Sequence, residues 1–286
     1  MVLDSPSASR LVAGIVLLLG LAPTAAAQPE VPSPTSFVQF DGTSAYLEVP
    51  DSPDFSVATT GALTISAWLR PDALTMASTE GSGYVYWLGK GARGQYEWAL
   101  RMYSQDNTEN PNRANRISFY VFNPRGGLGI GSYFQDPITP AEWIHVVAIA
   151  DNGKTSIYKN GVFRRCDWYT APADNSCQRY AQDLWITPQP GPQPVRMGTR
   201  DFNSYFQGGL AEVRIWNRPL SADEVTQLYA QDSTPRDGLV AEYLFAEGSG
   251  DTAYDTAGGH DASLQGATWG SECSAEPMVN GQSLCG

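Results

Sequence analysis

The sequence has 286 residues, 42% of them hydrophobic, with 18 Lys and Arg against 30 Asp and Glu and a net charge of −12. That length suits one large all-β domain, since such units run to about 200–250 residues. The acidity excludes a phosphate-backbone partner, which needs a basic surface, so nucleic acid is set aside.

In chain order, the first feature is an apolar run from Leu11 to Leu21 that follows Arg10 and leads to the small residues Ala25, Ala26 and Ala27. About 11 apolar residues are too few to cross a bilayer, which takes about 20. Residues 1–27 are therefore expected to be a removed secretory signal, with the mature chain starting at Gln28. No cysteine lies at that junction to carry a lipid, and no second long apolar run follows. The mature chain is expected to have no transmembrane segment and to be secreted, extracellular or periplasmic. Residues 28–36 are rich in proline and form a short tether.

From residue 37 the text becomes a succession of short alternating segments broken by glycine and proline. "FVQFDGTSAYLEVP" alternates around Asp41-Gly42, "GALTISAWLRP" stops at Pro71, and "YVYWLGKG" ends in glycine. "YEWALRMYS", "RISFYVFN", "EWIHVVAIADNGKTSIYKNGVF" and "PVRMGTR" continue the series. Strands at this frequency with no long helix predict a sandwich or barrel. Asn152-Gly153 and Asn160-Gly161 are expected to make hairpin turns, because Asn and Gly tolerate positive φ.

Four cysteines allow three connectivities, of which local closure is the simplest in an exported chain: Cys166 with Cys177, and Cys273 with Cys285. No histidine stands near either pair at zinc-ligand spacing. Beyond them, "GGLAEVRIWNRPLSADEVTQLYA" (208–230) reads as a half-buried strand, with Glu212 and Arg214 turned to water. A short helix follows, capped by the Ser221/Glu224 capping box, with Val225, Leu228 and Tyr229 on one face.

Taken together, "FDGTSAYLEVP", "LTISAWLRP", "EWIHVVAIADNGKTSIYKNG" and "GGLAEVRIWNRPLSADEVTQLY" resemble the laminin-G-like family of concanavalin A-like, pentraxin-related jelly rolls over residues 37–230. The resemblance implies an all-β, two-sheet antiparallel jelly-roll sandwich with one short helix toward the C-terminal side. Residues 238–269 resemble the strands that normally open such a domain. They are expected to complete the same sandwich across residues 37–286, because an isolated strand pair of this size buries too little apolar surface. Residues 270–286 would form a disulfide-closed tail.

Three places are candidates for chemistry. In the segments 96–104 and 116–123, alternation sends Trp98, Leu100, Met102, Ile117, Phe119 and Val121 inward. It sends Glu97, Arg101, Tyr103, Arg116 and Tyr120 outward. Tyrosine rings that stack on a pyranose, beside Glu and Arg that bond its hydroxyls, suit a sugar site rimmed by the loop 107–115. The blander reading is a solvated strand face with ordinary cross-strand pairs.

The second place is Asp41, which the resemblance matches to a carboxylate of a structural calcium site. A turn cap is its alternative role, since Ala211 stands where the family commonly has an aspartate. The third is catalysis, because glucanases and polysaccharide lyases share the sandwich. No Glu-x-Asp-x-x-Glu run delivers the two carboxylates a retaining glycosidase needs. His145 is read as a core-edge histidine and His260 as solvated. The expected function is non-catalytic recognition of an extracellular or cell-surface glycan. A glycan-active hydrolase or lyase and an adhesion module that binds protein are the alternatives.

Overall fold

The computed structural model describes residues 1, 32–79, 81–105, 113–123, 128–179 and 184–272. Strands numbered in chain order form two antiparallel sheets. The first contains β1 (Ser36–Asp41), β3 (Ala62–Pro71), β8 (Ile144–Asp151), β9 (Lys154–Lys159), β10 (Val162–Trp168), β12 (Gln207–Trp216), β13 (Leu239–Tyr243) and β16 (Thr268–Ser271). The second contains β2 (Tyr46–Val49), β4 (Tyr84–Ala92), β5 (Gln95–Tyr103), β6 (Ile117–Phe122), β7 (Gly129–Phe134), β11 (Val195–Met197), β14 (Thr252–Ala253) and β15 (Ala262–Gln265).

Their spatial orders are β10-β9-β8-β3-β12-β1-β16, with β13 also on β12, and β14-β15-β2-β11-β4-β5-β6-β7. Both sheets thus recruit strands from the beginning, the middle and the last part of the described chain. Residues 239–271 pair with β12, β1 and β2, and their partners in β1 and β2 lie more than two hundred residues away in sequence. The result is a two-sheet jelly-roll sandwich.

The core between the sheets comes from the period-two pattern. Leu63, Ile65, Ala67 and Leu69 of β3 face Trp98, Leu100 and Met102 of β5 and Ile117, Phe119 and Val121 of β6 in one cluster, all at 0–1% exposure. Each of the larger aliphatic and phenyl side chains contributes about 1.5–3 kcal/mol by leaving water. Both hairpins form as expected, with φ at 45° and 85° for Asn152-Gly153 and 51° and 75° for Asn160-Gly161.

The other face of β3 is also covered, by the helix α2 (Ala222–Tyr229), which follows a single turn, α1 (Val57–Thr60), met earlier in the chain. Ser221 Oγ accepts from Glu224 N at 3.2 Å while Ser221 N donates back to Glu224 Oε2 at 2.8 Å, closing the capping box. A bidentate hydrogen bond from Arg218 holds the Glu224 carboxyl down at about 2. Val225 and Leu228 then seal Trp216, Val147 and Ile149 from water.

Strand β12 departs from simple alternation. Its pairing with β3 shifts between Ala211 and Arg214, and Glu212 takes φ 47°. The extra residue lets Leu210, Val213 and Ile215 all enter the core. Arg214 stays on the face opposite Val213 and Ile215, as alternation places it, yet it does not face water: beside β13 it is buried, donating to Glu242 at 2.8 Å and Glu212 at 2.9 Å. Cys166 is bonded to Cys177, with Cα atoms 5.0 Å apart. Cys273 and Cys285 lie outside the described residues.

Candidate functional site

The outer face of the second sheet carries a row of rings. Tyr86, Ala99, Tyr120 and Phe122 pack together there, with Tyr96 against them, opposite the core-facing row of β5 and β6. Cross-strand pairing aligns them: Ala99 stands opposite Tyr120, and Ser118 lies between Arg101 and Tyr133. Above this floor opens a cleft of about 580 Å³, within the usual range for a ligand site. Its far wall comes from β10 of the other sheet, where Arg165 reaches across to donate to Tyr133 Oη at 3.1 Å.

The cleft brings Arg101, Arg116 and Tyr120 together, as the alternation predicts. The rings are not bare platforms, however. The Arg101 guanidinium lies 4.0 Å from the ring centres of both Tyr84 and Tyr120. Tyr133 carries Arg116 at 3.9 Å and Arg165 at 4.3 Å. Such cation–π contacts are worth about 0.5–2 kcal/mol each, and they fix the guanidiniums in place. The tyrosines therefore orient hydrogen-bond donors, and the donors line the cleft.

Two expected members are elsewhere. Glu97 sits at a shift in the β4–β5 pairing, where Lys90 is opposite Trp98 but Gly91 is opposite Tyr96. This bulge puts Tyr96 on the aromatic floor and turns Glu97 out of its row. Glu97 is 4% exposed and fully engaged: Oε1 accepts from Lys90 Nζ and from Gly191 N at 3.0 Å, and Oε2 accepts from Ser56 Oγ at 2.7 Å. It borders a second cleft of about 840 Å³ with Gln95, Tyr96, Asn123 and Gln189. Tyr103 is 2% exposed and meets Tyr84 edge to face at 5.2 Å, outside the cleft lining. Of the expected rim, residues 107–112 lie outside the described residues, while Arg113 lines the cleft.

Sequence reasoning missed Tyr84, Tyr133, Arg165 and Asp167. Alternation within "YVYW" and "GSYF" points Tyr84 and Tyr133 to the outer face. The approach of β10 over β7 is a tertiary event with no local signal. Arg165 binds Asp167 through two 2.7 Å hydrogen bonds. Arg200 was missed as well; it is 1% exposed, its guanidinium 3.8 Å from Tyr86 and 3.9 Å from Tyr96, and paired with Asp201 at 2.7 Å.

Asp41 acts as the cap of its turn. Its Oδ1 accepts from the backbone of Thr43, Ser44 and Ala45 at 2.8–2.9 Å, and its Oδ2 from the two hydroxyls at 2.7 and 3.1 Å. Partial burial disfavours the charged form, but these bonds hold the carboxyl well below its ordinary range. Calcium takes six to eight oxygens. Among the described residues no group of three or more His, Cys, Asp or Glu is arranged for a metal, and Ala211 packs against Phe37 and Trp68.

His145 is enclosed by Trp68 and Tyr229, with Nε2 2.9 Å from Ser66 Oγ. Burial, reinforced by Arg214, drives its pKa down to about 3, so the ring is neutral. His260 is less solvated than its glycine turn suggests, for its ring meets Phe55 edge-on at 4.8 Å.

A family model described as the concanavalin A-like lectin/glucanases superfamily matches residues 41–226. Among solved structures, the chain is similar to a Bacteroides ovatus ATCC 8483 protein whose carbohydrate binding is an assignment. Identity there is 18% and the TM-score 0.54, over 83% of this chain and 60% of that one. This chain therefore spans less than two thirds of that protein's length. It is also similar to a heptameric SAP-like pentraxin from Limulus polyphemus at 12% identity and a TM-score of 0.50, covering 83% of this chain and 95% of the pentraxin. No curated protein matches the chain.

Proposed function

The chain belongs to the concanavalin A-like lectin/glucanases superfamily, and on that premise we propose that it is a secreted, non-catalytic carbohydrate-binding protein whose ligand lies in the cleft over Tyr120 and Tyr133. The observation that carries the proposal is the cleft itself: about 580 Å³, open on a sheet face, with an aromatic floor and fixed hydrogen-bond donors. Sugar hydroxyls are acceptors in fixed directions, and donors held by ring contacts meet them with little entropy left to lose. The carbohydrate-binding assignment of the Bacteroides ovatus protein supports the same ligand class.

Glycosidases flank the scissile bond with two carboxylates about 5–9.5 Å apart. Among the described residues the cleft offers one, Asp167, bound on both oxygens by Arg165. The second cleft also offers one, Glu97, tied to Lys90. Both arrangements support binding without hydrolysis. The Cys166–Cys177 disulfide supports export to an oxidising compartment. No helix among the described residues is long and apolar enough to cross a membrane. A glycan array on residues 28–286, run beside a reducing-sugar release assay, tests the reading. Binding with no sugar release is expected; sugar release would overturn the non-catalytic assignment.

A further inference from the structure

Taking the carbohydrate reading as its basis, we infer that the cleft selects an acidic sugar, a glycan unit bearing carboxylate or sulfate, with Arg101 as the central anion-binding residue. The charge distribution is the first ground. Five arginines, Arg101, Arg113, Arg116, Arg165 and Arg179, line a cleft whose described residues include one acid, Asp167. The chain has only 18 basic residues and a net charge of −12. A concentration of positive charge here runs against the charge of the molecule, and Asp167 is already neutralised by Arg165.

The second ground is Arg101 itself. It is half-buried, and its partners are neutral: the Ser118 hydroxyl at 3.2 Å, the Tyr86 side chain by a hydrogen bond, and the rings of Tyr84 and Tyr120. Removing a cation from water without a counter-charge is costly, and a carboxylate or sulfate entering the cleft offsets that cost. The planar guanidinium fork matches both oxyanions in two-point hydrogen bonding. An overall acidic protein repels polyanions elsewhere on its surface, which confines such a ligand to this cleft.

The third ground is the neighbouring cleft. It shares the aromatic floor, since Tyr96 and Phe122 lie 5.7 Å apart, yet it offers amides and a carboxylate already paired with Lys90. The anion preference therefore belongs to the Arg101 end of the face.

The test is calorimetric titration of residues 28–286 with oligogalacturonate, the same oligomer methyl-esterified at its carboxylates, a sulfated galactan oligomer, and its desulfated form. Esterification and desulfation remove charge while keeping the sugar. We expect at least one charged oligomer to bind about tenfold or more tighter than its neutral partner, with affinity falling as salt rises from about 50 to about 300 mM. Preference for the galacturonate arm would identify carboxylate as the source, and preference for the galactan arm would identify sulfate. Arg101→Gln should abolish the preference and Arg101→Lys restore part of it, while Arg164→Gln, a charge-matched change outside the cleft, should leave it intact. Equal, salt-insensitive binding of charged and neutral forms would overturn the acidic-sugar inference and leave carbohydrate binding standing. Failure of any oligomer to bind here, joined to an empty glycan array, would overturn both.

Discussion

Arg101 and Glu97 lie four residues apart on β5 and, by strict alternation, on one face, yet they do opposite work. Arg101 keeps neutral partners and looks into an open cleft. Glu97 is enclosed by Lys90, Ser56 and Gly191 and holds the 189–192 segment against the sheet. What separates them is one bulged residue. A charged side chain on a sheet face is thus a binding candidate only if its partners leave its charge uncompensated. Lys90–Glu97, Arg214–Glu242, Asp41 and His145 belong to the structural class, whereas Arg101 belongs to the ligand class.

The largest effect expected from this division is at Glu97. Glu97→Ala leaves the buried Lys90 with the exposed Asp51 carboxylate, at 2.8 Å, as its remaining counter-charge and should cost up to about 3–5 kcal/mol, with glycan affinity of the folded fraction unchanged. Thermal unfolding and titration of the same sample check it, and a stable variant with lost affinity would move Glu97 into the ligand class. Phe119→Ala sets the core scale at about 3–5 kcal/mol. Its neighbour Tyr120, at 9% exposure and packed on Ala99 and Phe122, should cost less when cut to alanine but release Arg101 and so weaken binding. Loss of affinity in Phe119→Ala alone would invert the two faces.

His145 gives a smaller, pH-coded effect. Its folded pKa, about 3, lies below the ordinary histidine value near 6.5, so below that value the unfolded chain binds a proton that the folded chain refuses. Stability is full above pH 6.5 and falls as the pH drops toward 3. His145→Gln should flatten that part of the profile relative to the parent, as read by denaturant midpoints across the window. A parallel profile would show the ring to be protonated in place. The smallest effect concerns Asp41: a chelator should leave the melting temperature where it was, whereas Asp41→Ala should lower it by unpinning the turn. A chelator-induced drop that Asp41→Ala abolishes would make Asp41 a metal ligand.

Much of the fold is legible in the sequence because its signals are local. The Asn-Gly hairpins, the Ser221–Glu224 box and the inward row from Trp98 to Val121 each depend on a few neighbouring residues, and the structure repeats them. Bulges at Glu97 and Glu212 leave no such mark. The bulge at Glu97 shifts the side-chain phase by one residue and takes Glu97 out of the sugar site, whereas the one at Glu212 brings Leu210 into the core and leaves Arg214 on its expected face, where pairing with Glu242 of β13 buries it. The site was legible for Arg101, Arg116 and Tyr120, which share paired strands, and for Arg113 of the expected rim. Arg165 and Tyr133 meet across two sheets, 32 residues apart in the chain, and that closure depends on how β10 approaches β7.

The central claim is that the Arg101 end of the outer face, and not the Glu97 end, holds the glycan. The direct measurement is a two-dimensional NMR titration that follows arginine side-chain Nε–Hε signals and backbone amides as an acidic oligosaccharide is added. The account predicts progressive shifts of the Arg101, Arg116 and Arg165 signals and of the Tyr120 and Tyr133 amides, with Glu97 and Gly191 quiet. Shifts confined to Gln95, Glu97 and Gly191, with the arginine signals unmoved, would contradict it.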